Sequence, residues 1–157
     1  MPVFPDFMAR LAQRRKIKRQ VDGGFASYRM RLQGTASITV LAPELDPNAQ
    51  ARVSSEAWPV PATSGAYGDF MRLALNFNRN ALHHLPCGIL QDPVNPSLYR
   101  LIWRVSASDQ TDEQWMDQLR MFGTLVDKAW STMPVPGGSK DPRAPAGDTP
   151  QHVIFMP

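Results

Sequence analysis

Residues 66–133 carry the clearest structural pattern in the chain, AYGDFMRLALNFNRNALHHLPCGILQDPVNPSLYRLIWRVSASDQTDEQWMDQLRMFGTLVDKAWSTM. The pattern is that of a long amphipathic helix, a short strand, a turn, a longer strand and a second long amphipathic helix. The stretch shows no nucleophile beside a base, no metal-ligand spacing and no phosphate-binding loop. It therefore predicts a protein that presents surfaces rather than one that carries out chemistry.

The helix that begins this stretch has a broad apolar surface. Thr63 or Ser64 is a suitable N-cap residue for it. Apolar residues at helical spacing cover more than one of its sides, and they are Tyr67, Phe70, Met71, Leu73, Ala74, Leu75, Phe77, Ala81 and Leu82. A sheet buries only one of those sides, and a monomer would leave another in water. We therefore expect a homodimer that is joined through this helix.

Two strands and a final helix follow. Residues 88–91 and 98–105 are predicted strands, separated by the turn signals Asp92-Pro93 and Asn95-Pro96. In the longer strand Tyr99, Leu101, Trp103 and Val105 alternate with a second face that carries Leu98, Arg100, Ile102 and Arg104. Thr111 followed by Gln114 is a capping-box pattern, and it predicts the start of a helix that continues to Trp130.

The N-terminal part adds a helix and three strands. Phe4, Phe7, Met8 and Leu11 have the spacing of one helical face, and Asp22-Gly23-Gly24 is expected to end that helix. Residues 26–32, 37–41 and 51–58 have the pattern of strands, with Gly34 in the first turn. The predicted fold class is α+β, with the order α-βββ-α-ββ-α and a twisted antiparallel sheet on which the helices pack.

Composition sets the outer limits. A chain of 157 residues predicts a single domain. We place this domain in residues 1–135 and expect the Pro/Gly-rich residues 136–157 to form a disordered tail, of which residues 153–156 are an apolar segment able to dock. No apolar run is long enough for a membrane span, and no secretory signal is expected. One cysteine, Cys87, fits a reducing compartment.

The chemically interesting residues also have structural explanations. His83, His84 and Cys87 lie close in sequence, but adjacent helical residues diverge and do not chelate one ion together. Asp109, Asp112, Glu113 and Asp117 crowd the start of the last helix, where the helix dipole favours carboxylates. We therefore predict no catalytic residues, no metal site and no cofactor.

The positive charge is concentrated near the N-terminus. The net charge is +3 and the isoelectric point about 9.4. The basic patch is formed by Arg10, Arg14, Arg15, Lys16, Lys18 and Arg19. Phosphates or acidic protein surfaces are the natural partners of such a patch. Because no aromatic residues are interleaved and no nucleic-acid-binding motif is present, a solvated helix end is the simpler interpretation.

The element order resembles that of the class I type III secretion chaperones, the CesT/SycE-like family. The corresponding features are Leu75-Asn76 with Asn78 and Asn80, then Gly88-Ile89-Leu90, then residues 98–105 and 115–130. The resemblance covers most of residues 4–133 and rests on order and spacing. It implies a bacterial cytosolic homodimer without enzymatic activity, which binds the N-terminal chaperone-binding region of one or more secreted effectors and keeps it extended and secretion-competent. The secretion ATPase is a further candidate partner.

The resemblance also implies where the partners bind. Apolar patches on the first helix and the sheet would receive effector side chains, which makes Phe4, Phe7, Met8, Leu11, Tyr28 and Met30 the candidate effector-binding residues. The candidate dimer-interface residues on the second helix are Phe70, Leu73, Ala74, Phe77, Asn78 and Ala81. Two alternatives remain open at this point: a basic nucleic-acid-binding or regulatory protein, and a small enzyme on an α+β scaffold.

Overall fold

The computed structural model describes residues 3–32, 37–46, 49–106, 108–134 and 153–154. Its three helices are α1 (Phe4–Arg15), α2 (Ser64–Ala81) and α3 (Asp112–Thr132). Its strands are β1 (Arg19–Asp22), β2 (Phe25–Leu32), β3 (Ser37–Pro43), β4 (Ala51–Ser55), β5 (Trp58–Pro59), β6 (Cys87–Gln91), β7 (Leu98–Val105) and β8 (Val153–Ile154). The predicted α+β class is confirmed.

All strands join one sheet. Strands β1 to β4 pair in succession, each antiparallel to the next. Both β4 and β5 pair with one edge of β7, while β6 pairs with its other edge. Only β8 is parallel, and it lies beside the end of β2. The sheet is therefore antiparallel apart from a two-residue strand formed by the start of segment 153–156. The remainder of tail 136–157 and Gly34 lie outside the described residues.

The first helix is shorter than predicted. Lys16 adopts a left-handed φ of 55°, and the backbone N–H of Ile17 donates to the carbonyl of Ala12 at 2.9 Å. This closes α1 at Arg15 and frees the next residues to form β1. Gly23 and Gly24 have φ values of 55° and 82°, which is the backbone a tight two-residue hairpin requires. The glycine pair thus turns a hairpin and does not end a helix.

The other boundaries follow local signals. Thr63 caps α2, because its Oγ1 accepts a hydrogen bond from the backbone N–H of Ala66 at 3.3 Å. Thr111 and Gln114 form the predicted capping box at the start of α3. The strand predicted for residues 51–58 is interrupted, so that it contributes both β4 and β5.

The core lies between the helices and one face of the sheet. The register places Tyr28, Val40, Val53 and Trp103 side by side across four strands, and all four are buried. Large aromatic contacts join the layers: Phe4 meets Trp115 edge-on at 5.0 Å, and Trp58 stacks on Trp130 at 4.5 Å, measured between ring centroids. No helix in the described ranges is both long and apolar enough to cross a membrane.

Candidate functional site

The six candidate effector-binding residues are buried in the core. The exposed fraction of each is 6% or less, for Phe4, Phe7, Met8, Leu11, Tyr28 and Met30. Phe4, Met8, Tyr28 and Met30 are therefore out of a partner's reach in this conformation. Phe7 and Leu11 differ, since they also form the floor of a surface groove. Binding of an effector to any of them stays a prediction.

This groove lies between α1 and α3 and has a volume of about 580 Å³. Its apolar floor is formed by Phe7, Leu11 and the half-buried Met116. Its polar rim is formed by Arg14, Arg15, Asp112, Glu113 and Arg120. We name it the α1–α3 groove. Met116 had no part in the sequence-based site, because its place beside α1 depends on how the two helices pack.

The basic patch is divided by the fold. Arg10 and Arg14 both contact the Asp112 carboxylate, with N–O distances of 2.5 and 3.0 Å. The hydrogen bond from Arg10 lowers the pKa of Asp112 below its usual value. Arg19 lies on β1 and pairs with Glu44. These ion pairs tie α1 to α3 and β1 to the loop after β3, which leaves Arg15, Lys16 and Lys18 as the exposed remainder.

Apart from Asn78, the candidate dimer-interface residues form the inner side of α2. Phe70, Ala74, Phe77 and Ala81 are buried against the core, and Leu73 is half-buried. Asn78 binds the edge strand β6: its amide nitrogen donates to the carbonyl of Ile89 at 3.1 Å, and its amide oxygen accepts from the N–H of Ile89 at 2.5 Å. These residues therefore stabilise the subunit, and their contact with a second copy stays untested.

Helix α2 has a second apolar side, which we name the outer stripe. It consists of Tyr67, Met71, Leu75 and Leu82, which share one helical face. Leu75 and Leu82 are 62% and 63% exposed. Because Asn78 projects from the same side and reaches β6, the stripe borders the edge of the sheet. The exposed members of the stripe are Tyr67, Leu75 and Leu82, since Met71 packs partly against the core.

The side chains considered for chemistry or metal binding are Cys87, His83 and His84. Cys87 is buried, and burial raises the pKa of its thiol to about 11, so it stays protonated at neutral pH. His83 and His84 are exposed in the turn after α2. Within the described part of the chain, no three His, Cys, Asp or Glu side chains are placed to hold a metal ion. The surface features of the described residues are the α1–α3 groove, the outer stripe of α2 and the sheet.

Comparisons of the chain with protein-family models, with curated proteins and with solved structures found no match.

Proposed function

We propose that the chain is a cytosolic chaperone that binds the N-terminal chaperone-binding region of one or more type III secretion effectors and keeps it extended. The observation that carries the proposal is the α1–α3 groove. It has an apolar floor of Phe7, Leu11 and Met116 and a rim of charged side chains. Such a groove accepts the apolar side chains of an unfolded segment one at a time, while the rim contacts its backbone and polar groups.

The charges on the rim of the groove are held in place by ion pairs. Arg10 and Arg14 both contact the Asp112 carboxylate and lower its pKa, so that it stays ionised near neutral pH. Arg120 pairs with Asp117 at 3.0 Å. The rim charges therefore act as fixed charges that orient a ligand.

The outer stripe of α2 supports a homodimer. Leu75 and Leu82 are mostly exposed, on the same side of α2 as Tyr67 and Met71, while the other apolar side of this helix is already buried. An isologous contact between two copies would cover the stripe on both. A dimer presents two α1–α3 grooves to one extended effector, so that the two contacts reinforce one another.

The test is affinity purification from the native host with identification of the bound protein. We expect a secreted protein, bound through a segment near its N-terminus that stays sensitive to proteases. Met116→Glu should weaken the complex by about 2 kcal/mol, as expected for a central apolar contact. Met121→Glu is the matched control, because Met121 is exposed on the same helix and lies outside the groove.

Two results would reject the proposal. One is a nucleic acid as the main co-purifying species, with affinity that falls by about a thousandfold or more between roughly 50 and 200 mM salt, as phosphate-driven binding does. The other is a partner that is lost equally from Met116→Glu and Met121→Glu, since the groove would then have no specific role.

A further inference from the structure

The sheet has a second face that the core does not use, which we name the open sheet face. In register across it lie Ser27, Leu41, Arg52 and Arg104, and beside them Arg29, Thr39, Ser54 and Ile102. The buried residues of all three helices belong to one core cluster. Ile102 is only 4% exposed, but it is not part of that cluster. Within the described residues, all three helices bury their apolar residues on the opposite side.

Two arginines face each other on this surface, and no carboxylate among the described residues pairs with either. Arg52 on β4 is the direct cross-strand partner of Arg104 on β7. Like charges in this position repel and destabilise a sheet. Neither guanidinium forms an ion pair within the described residues, although both are accessible to solvent. The fold therefore places two like charges on directly paired positions of neighbouring strands.

The neighbouring carboxylates are already engaged. Glu56 pairs with Arg29 at 2.7 Å. Asp92 pairs with Arg100 and also accepts backbone hydrogen bonds from Val94 and Asn95. These two carboxylates are thus unavailable to Arg52 and Arg104, and the centre of the surface keeps two positive charges.

The charges border an apolar floor. Two adjoining depressions, of about 430 and 280 Å³, share Leu41, Arg52, Pro93 and Ile102 in their walls. The first also contains Phe25, Leu90 and Arg104, and Leu90 is exposed. Together they form one shallow trough across β3, β4, β7 and the start of the loop after β6. The trough crosses three neighbouring strands, and this span corresponds to several residues of an extended chain.

We infer that the open sheet face binds an extended acidic segment of a partner protein, with carboxylates on Arg52 and Arg104 and an apolar side chain on Leu41 and Ile102. Guanidinium groups bind carboxylates through paired hydrogen bonds. Occupation relieves the repulsion between the two arginines and covers the apolar floor. The inference rests on the proposed function in one respect: the segment belongs to the protein that the chain holds extended.

A peptide fits this surface better than a nucleic acid does. Single-stranded nucleic acids are bound by aromatic side chains that stack on successive bases, beside a continuous track of cations. The trough contains one described aromatic residue, Phe25, and its floor is aliphatic. Two arginines without an ion pair among the described residues, next to the paired Arg100 and Asp92 and above an aliphatic floor, match an acidic segment with interspersed apolar residues.

The test measures binding of three labelled probes to the full chain by fluorescence anisotropy. They are a peptide in which Glu alternates with Leu and Ser, the same peptide with Lys in place of Glu, and a single-stranded oligonucleotide. We expect the Glu peptide to bind most tightly of the three probes. Its Kd should rise about tenfold in the Arg52→Gln/Arg104→Gln variant, because this variant loses two solvent-accessible ion pairs with the peptide. The Lys18→Gln/Lys128→Gln variant removes the same charge elsewhere and should change the Kd by less than about twofold.

Each contrary outcome rejects the inference. Equal losses in the two double variants would show an effect of net charge alone. Tighter binding of the oligonucleotide, lost in Arg52→Gln/Arg104→Gln, would identify a nucleic-acid surface. A changed molecular mass of that variant in light scattering would identify a contact between copies of this chain. Failure of the proposed function is distinguishable, because Met116→Glu lies on the opposite face and leaves binding of the Glu peptide intact.

Discussion

The side-chain amide of Asn78 on α2 binds both backbone polar groups of Ile89 on the edge strand β6, as a neighbouring strand would. The donor–acceptor distances are 3.1 and 2.5 Å. The approach is close at Gly88, where a Cβ atom would lie 3.1 Å from the Asn78 side chain and would push it back by a few tenths of an ångström. The contact holds α2 against β6 and satisfies backbone groups that the end of the sheet would otherwise expose.

Asn78→Ala should therefore lower the free energy of unfolding by about 1–3 kcal/mol, because it leaves the Ile89 backbone without its partners. Asn78→Asp should cost at least as much, since a carboxylate then faces a carbonyl oxygen. Urea unfolding measures both changes. Asn76→Ala, at an exposed position on the same helix, is the control and should change stability by less than about 0.5 kcal/mol. Equal effects at Asn76 and Asn78 would contradict the assignment.

Leu75→Asp and Leu82→Asp should each convert a dimer into a folded monomer. Both side chains are mostly exposed in the single chain, so a charge there does not disturb the core, whereas it is costly in a closed apolar interface. Light scattering measures the mass and circular dichroism the fold. Leu45→Asp, at another exposed leucine, should leave the dimer intact. A wild-type chain that is monomeric at micromolar concentration would refute the dimer.

Leu11→Asp should prevent folding, because Leu11 is buried at 6% exposure in the core beneath α1. Leu11→Ala should fold with a loss of about 2–5 kcal/mol in the free energy of unfolding. Chemical denaturation followed by tryptophan fluorescence distinguishes the two. If Leu11→Asp instead folded normally and lost only its partner, Leu11 would be a ligand contact without a core role.

Asp92→Asn should destabilise the protein in a pH-dependent way. Burial alone would raise the pKa of Asp92, but the Arg100 guanidinium and the backbone N–H groups of Asn95 and Val94 outweigh it and lower the pKa to about 2. Ionised Asp92 therefore contributes about 2 kcal/mol above pH ~4, and this contribution is lost as the pH falls through about 2.

Urea unfolding of wild type and Asp92→Asn at a series of pH values should show a difference that is largest near neutrality and shrinks below pH ~4. The exposed carboxylate of Asp69 provides the control. Asp69→Asn should change stability by less than about 0.5 kcal/mol throughout. A difference at Asp92 that is independent of pH would mean that the ion pair with Arg100 contributes nothing.

Arg52→Thr should raise the free energy of unfolding by up to about 1 kcal/mol, because it removes the repulsion from Arg104. The gain should shrink as salt is added. Arg104→Thr alone should have a similar effect, but the two substitutions together should gain little more than either one, since the same repulsion cannot be removed twice. Additive gains in thermal unfolding would show that the two arginines do not interact.

Local chemistry explains which elements were predictable. The capping box of Thr111 and Gln114 closes hydrogen bonds within four residues, and the alternation around Tyr99 and Trp103 is visible in the strand itself. The end of α1 was not predictable in the same way. Residues 14–19 contain good helix formers, but pairing of Arg19 with Tyr28 on β2 stabilises a strand instead.

The sequence identified some residues of the candidate site, but it did not show how deeply they are buried or which residues surround them. Phe7 and Leu11 were identified as apolar residues of one helical face, and they do line a groove. Their burial depends on α3, whose Met116 is more than a hundred residues away in the chain. The outer stripe of α2 likewise became distinguishable from its inner side only when the sheet showed which apolar residues it covers.

By itself the sequence determined the order of the three helices and of strands β2, β3, β4, β6 and β7, because periodicity, caps and turns depend on residues a few positions apart. It did not show β1 or β8, nor the break that separates β5 from β4. The tertiary structure alone decided which arginines are paired and which face each other, since Arg52 meets Arg104 only through the register of β4 on β7. It also decided that Asn78 meets Ile89 and that Arg10 meets Asp112. Register and packing depend on the burial of the whole core at once, and no short segment contains that information.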